Sequence, residues 1–184
     1  LEVIREIIDE LPEDNVLRRL GNSPYFDENK IKSLFATLKT EDISEKILRE
    51  KILSHLSELP TMEGYFYKRK YKDFKAGDAK PAAIETETNK MVQLLAAAKL
   101  LSDYNKKLRS RKLYDYADML VYVSNAFDKH EFILRRYQET FLYKIADEMQ
   151  DSSGLQMKII NQLNSYWGEN ADVMLVGDNN QSLY

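Results

Sequence analysis

The chain contains no cysteine, which excludes a disulfide framework and every thiolate metal site. Its two histidines, His55 and His130, stand far apart in sequence; they cannot build a histidine-rich zinc site, and His55 reads as a surface or boundary residue of a helix rather than a ligand. No apolar run approaches the roughly 18 to 20 residues that span a bilayer. The first segment, LEVIREIIDELPED, is too acidic and too interrupted for a signal peptide. The expectation is a cytoplasmic protein with no membrane partner. None of the six glycines begins a GxxxxGK[ST] phosphate loop, so the chain lacks the backbone cradle and lysine that grip the β- and γ-phosphates of a nucleotide. The formal net charge of -3 argues against a uniformly basic coat, although a net charge averages over local patches.

What is present is an ordinary globular composition, with 43% apolar and 31% charged residues in 184, enough chain to bury a real core. The first two thirds read as helices. Leu1, Ile4, Ile7, Ile8 and Leu11 recur at helical spacing until Pro12, and Asp27 is placed to cap a helix carrying Ile31, Leu34, Phe35 and Leu38. Thr40 is a candidate cap for a third helix, with Glu41 and Asp42 in its first turn and Pro60 at its end. A long helix is expected from about Pro81 to Leu108, after a linker-like stretch at Ala76 to Ala83, and another from about Asp115 to Phe127.

After Tyr137 the pattern changes. FLYKIA is a short β-prone run that ends in the acidic cluster DEMQD, and a second run, DVMLV, ends at Gly177 and Asp178. Between them, Leu155, Ile159, Ile160 and Leu163 mark one face of an amphipathic helix, with Trp167 packing near its end. Strand, helix and strand in that order predict a βαβ unit with parallel strands. Two strands alone make a poor sheet, which implies neighbours elsewhere or support from the helical part.

Asp147, Glu148, Gln150 and Asp151 thus stand where a parallel strand ends, the edge at which α/β sheets bind ligands. An aspartate leaving a buried strand can hold Mg2+, and a glutamate beside it can polarise the water that attacks a γ-phosphate. A bare acidic pair after an apolar run is also the ordinary form of a solvated turn. The second run changes the balance. DEMQDSS and VGDNNQSLY, in this order and each after a strand, resemble motifs II and III (DEFQDT and GDxxQSIY) of the UvrD/Rep/PcrA and RecB/AddA helicases of superfamily 1. Leu113, Asp115, Tyr116, Asp118, Met119 and Leu120 resemble the LDFDDLL segment that precedes motif II in that family. Met149, Ser152 and Ala146 depart from the pattern in packing positions only.

The resemblance implies the roles of individual residues. Asp147 would help hold Mg2+, Glu148 would activate the hydrolytic water, and Gln181 would sense the γ-phosphate and couple hydrolysis to DNA movement. Tyr184 matches an aromatic beside the single strand, and Gln150, Asp151 and Asp178 belong to the motif network. It also implies a mainly α chain: a helical, DNA-contacting subdomain called 1B over residues 1–138, then a partial RecA-like domain, 1A, over 139–184. ATP and Mg2+ are the implied cofactors, and single-stranded and junction DNA the implied partners. The activity is that of an ATP-dependent DNA helicase or translocase, 3′ to 5′, in repair or recombination. The chain starts without methionine and stops directly after a motif that normally continues, so both ends are expected to be cuts. The phosphate loop and second RecA-like domain are then expected from the rest of the helicase, and the chain alone is expected to be inactive as an ATPase.

Within the helical part, Tyr65, Phe66, Tyr67, Lys68, Arg69, Lys70, Tyr71, Lys72, Phe74 and Lys75 interleave rings with cations before the Gly77-Asp78 turn. Cations neutralise phosphates and aromatic faces stack on bases, so Lys68, Arg69, Lys70 and Lys72 are candidate DNA contacts. A charged face over buried tyrosines is the ordinary alternative. The run Lys106, Lys107, Arg109, Arg111 and Lys112 suits a helix C-terminus as well as it suits DNA. Two other readings remain open: a metal-dependent hydrolase with Asp147, Glu148 and Asp151 as ligands, and a stand-alone DNA-binding module with a vestigial ATP site.

Overall fold

The computed structural model describes residues 1–18 and 24–178; Gln181 and Tyr184 lie outside the described residues. The architecture is mainly α, as expected: α1 (Glu2–Asp9), α2 (Glu28–Thr40), α3 (Glu45–Glu58), α4 (Pro81–Lys99), α5 (Leu101–Ser110), α6 (Tyr116–Lys129) and α7 (Glu131–Thr140) precede β1 (Tyr143–Ala146), α8 (Gly154–Asn164) and β2 (Asp172–Leu175). Among the described residues no helix is long and apolar enough to cross a membrane. Contacts divide the chain into two compact units, Leu1–Phe35 with Ile43–Lys112, and Ala36–Asp42 with Leu113–Tyr184. This division falls earlier than the change of sequence pattern near residue 138, because α6 and α7 pack with α8.

The first unit closes around an apolar core. In α1 the residues Val3, Ile4, Ile7 and Ile8 are all buried, the stripe that a 3.6-residue period places on one face. They join Leu17, Ile31, Phe35, Ala97, Tyr104 and Leu108 in one cluster, in which the rings of Phe35 and Tyr104 stand 4.9 Å apart. Each Val, Leu, Ile or Phe side chain in it removed from water contributes roughly 1.5–3 kcal/mol before conformational entropy is subtracted. The opposite face of α1 is tied by ion pairs, Arg5 to Glu28 at 2.5 Å and Glu6 to Arg111 at 2.5 Å, while Lys107 reaches Glu10 at 2.7 Å. Two of the five cations in the 106–112 run are therefore engaged with α1 and the residue that follows it.

Three sequence expectations need correction here. The helix expected from Pro81 to Leu108 is two helices, interrupted at Leu100, whose N–H bonds the Ala97 carbonyl at 3.0 Å. No proline or glycine marks the break, and the apolar spacing runs through it. Thr40 is the last residue of α2 and its hydroxyl bonds back to the Ala36 carbonyl at 3.0 Å; the cap of α3 is Ser44, which accepts from the Ile47 N–H. Ala76 to Ala83 is not a linker. Asp78 and Lys80 pair with Tyr67 and Tyr65 across a hairpin-like loop, and Pro81 opens α4.

The second unit is held differently. β1 and β2 pair in parallel, Tyr143 opposite Asp172 through Ala146 opposite Leu175, with α8 as the crossover between them. The helix α7 is an addition to the sequence expectations. Polar groups tie the helices of this unit together: Gln138 donates to the Gln162 carbonyl at 2.8 Å, and the Gln162 amide donates to Asp128 at 2.6 Å and to the Ser124 carbonyl at 3.2 Å. Trp167 donates its indole N–H to the Gln138 carbonyl at 3.4 Å, in keeping with its expected place near the end of the crossover helix.

Candidate nucleotide site

The strand β1 ends at Ala146, but its pairing continues into both loops. Val176 N–H bonds the Ala146 carbonyl at 2.8 Å, and Met149 N–H bonds the Val176 carbonyl at 3.0 Å. Between them the chain turns sharply, because Glu148 adopts the left-handed conformation with φ 54 and ψ 40, uncommon for a residue with a side chain. A 3-10 turn, Met149–Asp151, follows. The acidic cluster and the Gly177-Asp178 segment thus leave the same end of two adjacent parallel strands, the edge that α/β sheets use for ligands.

Gln150 fastens the two loops. Its amide nitrogen donates to Glu148 Oε2 at 2.5 Å, and its amide oxygen accepts the Asp178 N–H at 3.0 Å. Gly177 lies directly over this link: a Cβ there would stand 2.8 Å from Gln150 Oε1 and 3.3 Å from Gln150 N, so any side chain displaces the amide. One oxygen of Asp147 accepts the Glu148 N–H at 2.8 Å, and its other oxygen has no hydrogen bond among the described residues. Asp147, Glu148, Asp151 and Asp178 are all exposed or nearly so at this edge, with no buried carboxylate among them.

These donors fit Mg2+, which keeps most of its waters and takes only one or two carboxylates alongside nucleotide phosphates. The Asp147 oxygen without a hydrogen bond among the described residues suits that role. Among the described residues no three His, Cys, Asp or Glu side chains converge on one point, the set that a metal-dependent hydrolase reading requires. The structure brings Asp147, Glu148, Gln150, Asp151 and Asp178 together; Lys68, Arg69, Lys70 and Lys72 belong to the other unit, on the 63–80 loop.

The segment ahead of the strands has its own built network, centred on a residue that the sequence does not single out. Asp115 and Asp118 form a reciprocal capping box at the start of α6, each giving one oxygen to the other's backbone N–H at 3.0 Å. The remaining oxygens both meet Lys39 Nζ at 2.7 Å, and the Lys39 side chain is only 4% exposed. Nearby, Glu41 Oε2 accepts the Gly154 N–H at 3.0 Å at the start of α8. Lys158 bonds Asp42 at 3.0 Å, a contact that together with Asp128 holds its ammonium above the ordinary value. A lysine on an amphipathic helix, as Lys39 is, reads as solvated; its only sequence signal is a pair of acids at a helix start needing a counter-charge.

Parallel strands joined by a crossover helix, with acidic and Gly-Asp loops at one edge, form a βαβ unit whose loop edge is the one α/β folds use for ligands. The chain belongs to the UvrD/REP helicase N-terminal domain family, which matches residues 5–184. It is similar to DNA helicase II of Haemophilus influenzae, 42% identical over 72 residues that make up 39% of this chain and 10% of that protein. Similar too are the ATP-dependent DNA helicase PcrA of Bacillus subtilis, 32% identical over 83 residues (45% of this chain, 11% of that protein), and the ATP-dependent DNA helicase Rep of Buchnera aphidicola, 30% identical over 100 residues (50% and 15%). The matched region spans only about a tenth to a seventh of these relatives. No solved structure matches the chain.

Proposed function

We propose that this chain is part of an ATP-dependent DNA helicase or translocase of 3′ to 5′ polarity, acting in the cytoplasm on single-stranded and junction DNA. It supplies the Mg2+ and water-activating half of the ATP site, on the 1A portion, and a DNA-contacting 1B-like insert, over residues 1–138. The observation that carries the reading is the hydrogen-bonded pairing of the acidic loop with the Gly177-Asp178 loop at one sheet edge, in a chain of this family. Mg2+ bound with ATP would supply charge neutralisation to the phosphates. Asp147 would hold the ion through the carboxylate oxygen that has no hydrogen bond among the described residues, directly or through water. Glu148, whose carboxylate is oriented by Gln150, accepts a hydrogen bond from the attacking water. Gln150, Asp151 and Asp178 keep the two loops in register. The resemblance gives Gln181 the role of γ-phosphate sensor and Tyr184 that of the stacking aromatic, both outside the described residues.

The outer face of the sheet supports a larger RecA-like domain, since Tyr143 and Ile145 are 78% and 76% exposed and two strands do not make an independent sheet. The phosphate-loop lysine and the second RecA-like domain come from the rest of the protein, and this chain alone does not turn over ATP. In the full-length protein, Glu148→Gln lowers ATP turnover by about 10²–10⁴-fold, the usual worth of a positioned general base, while nucleotide binding persists. Turnover at the wild-type rate in that variant overturns the water-activating role. A GxxxxGK[ST] segment upstream in the gene separates a motor from a stand-alone DNA-binding module.

A further inference from the structure

We infer that the tip of the 63–80 loop engages nucleic acid through the phosphodiester backbone alone, because the rings at the tip, Tyr67, Tyr71 and Phe74, are already stacked on one another. The inference rests on the reading of this chain as DNA-handling and narrows it. The loop is folded by its own backbone: Tyr67 N–H to Asp78 O at 2.9 Å, Gly77 N–H to Tyr67 O at 2.8 Å and Lys80 N–H to Tyr65 O at 2.7 Å close its base, and Tyr71 and Phe74 exchange two bonds of 3.0 Å at its tip. Inside it, Tyr67 stacks on Tyr71 with centroids 5.7 Å apart and on Phe74 at 4.8 Å. Lys80 Nζ lies 5.6 Å from the Tyr67 ring and also bonds the Gly64 carbonyl at 2.9 Å, so this cation is a brace. Tyr71 is the one exposed ring among the five aromatics, at 54%, and it is already stacked on Tyr67 and lies 5.5 Å from the Lys72 ammonium. A base approaching Tyr71 meets a ring already stacked on Tyr67 and an ammonium beside it.

The cations divide just as clearly. Lys68 is paired with Glu63. Arg69 and Lys70 are exposed and make no ion pair or hydrogen bond with the described residues, and Lys72 is exposed at the tip with φ 50. Three cations within four positions, on a tip whose rings are used internally, form a phosphate-directed surface that is indifferent to base identity. Glu63 acts as a built-in attenuator by neutralising Lys68.

The test measures binding of the whole chain to a single-stranded oligothymidylate and to an abasic oligonucleotide of equal length, by fluorescence anisotropy across a salt series. In a Tyr184→Leu background, which removes the stacking aromatic proposed above, the two ligands should bind within about two-fold of each other. Replacing Arg69 and Lys70 with alanine and Lys72 with glycine should lower the slope of log K against log salt by about 2, from about 0.7 per lost phosphate contact. Glycine suits the left-handed φ at 72, so the tip keeps its turn. Glu63→Gln should raise the slope by about 0.7, and Tyr71→Leu should leave affinity within about two-fold. A loss of about ten-fold or more on removing the bases, or with Tyr71→Leu, is the size of a lost stacking contact and overturns the inference. An unchanged slope in the charge variant also overturns it while leaving DNA binding elsewhere on the chain intact, and absence of binding overturns it without touching the ATP-turnover test of Glu148.

Discussion

The two units bury different chemistry. In the first, the fully buried residues among those described are apolar: Ile4, Ile8, Phe35 and Leu59 are nearly inaccessible, together with the rest of the α1 cluster. In the second, the buried polar and charged residues Lys39, Asp118, Ser124 and Gln138 are all found, beside a short list of apolar ones, Leu38, Ala117, Phe127 and Leu155. Apolar burial is non-directional and stabilises in proportion to area. A hydrogen-bonded charge network stabilises only in one geometry, so it fixes how elements meet rather than how tightly. The unit that carries the candidate nucleotide edge is therefore the one whose helix positions are specified by polar ties.

This contrast stands or falls first at Lys39. Lys39→Met leaves the Asp115 and Asp118 carboxylates facing a buried site without their cation, and breaking a buried pair in this way costs about 3–5 kcal/mol. Chemical denaturation followed by Trp167, the only tryptophan and a residue of the second unit, should report that loss. Adding Asp115→Asn and Asp118→Asn should restore most of it while keeping the capping geometry; a single variant as stable as wild type would remove the polar-core description. In the first unit, Ile8→Ala should cost about 2–5 kcal/mol from lost burial and the cavity left behind. The matched change Ile145→Ala, on the exposed sheet face, should stay within about 0.5 kcal/mol. Equal losses at the two positions would mean that the sheet face is covered in solution.

The weakest of these effects is a pH dependence confined to the first unit. Hydrogen bonds from Arg111 and Arg5 hold the Glu6 and Glu28 carboxyls below their ordinary value of 4.5. A folded-state value below the unfolded one gives stability that is fully present above 4.5 and is lost as pH falls through the lowered value. The thermal midpoint should decline on acidification below 4.5, and the Glu6→Gln/Glu28→Gln variant should decline less steeply. These pairs are at the surface, so added salt should flatten the difference.

Periodicity makes α1, α2, α6 and α8 legible, and the βαβ order and the shared edge of its acidic and Gly-Asp loops follow from two short apolar runs with acidic or Gly-Asp ends. Beyond these elements the missing information is tertiary. The break at Leu100 leaves the apolar spacing intact, so no local signal marks it. Ser44 rather than Thr40 caps α3 because the chain after α2 turns through Asp42 at φ 51, freeing Glu41 to meet Gly154. Lys39 is solvent-like in any helical wheel and becomes a core residue only beside two acids from α6. The Tyr67 ladder is visible as composition, but composition cannot say whether rings face a ligand or each other.

Glu148 sits at a backbone angle where glycine would be more comfortable by roughly 1 kcal/mol. The most stable residue for that turn is thus one that could do no chemistry. A screen of this chain for thermal tolerance alone would drift toward Glu148→Gly and erase the carboxylate, so improvement in robustness at this position should be read as a warning rather than a success.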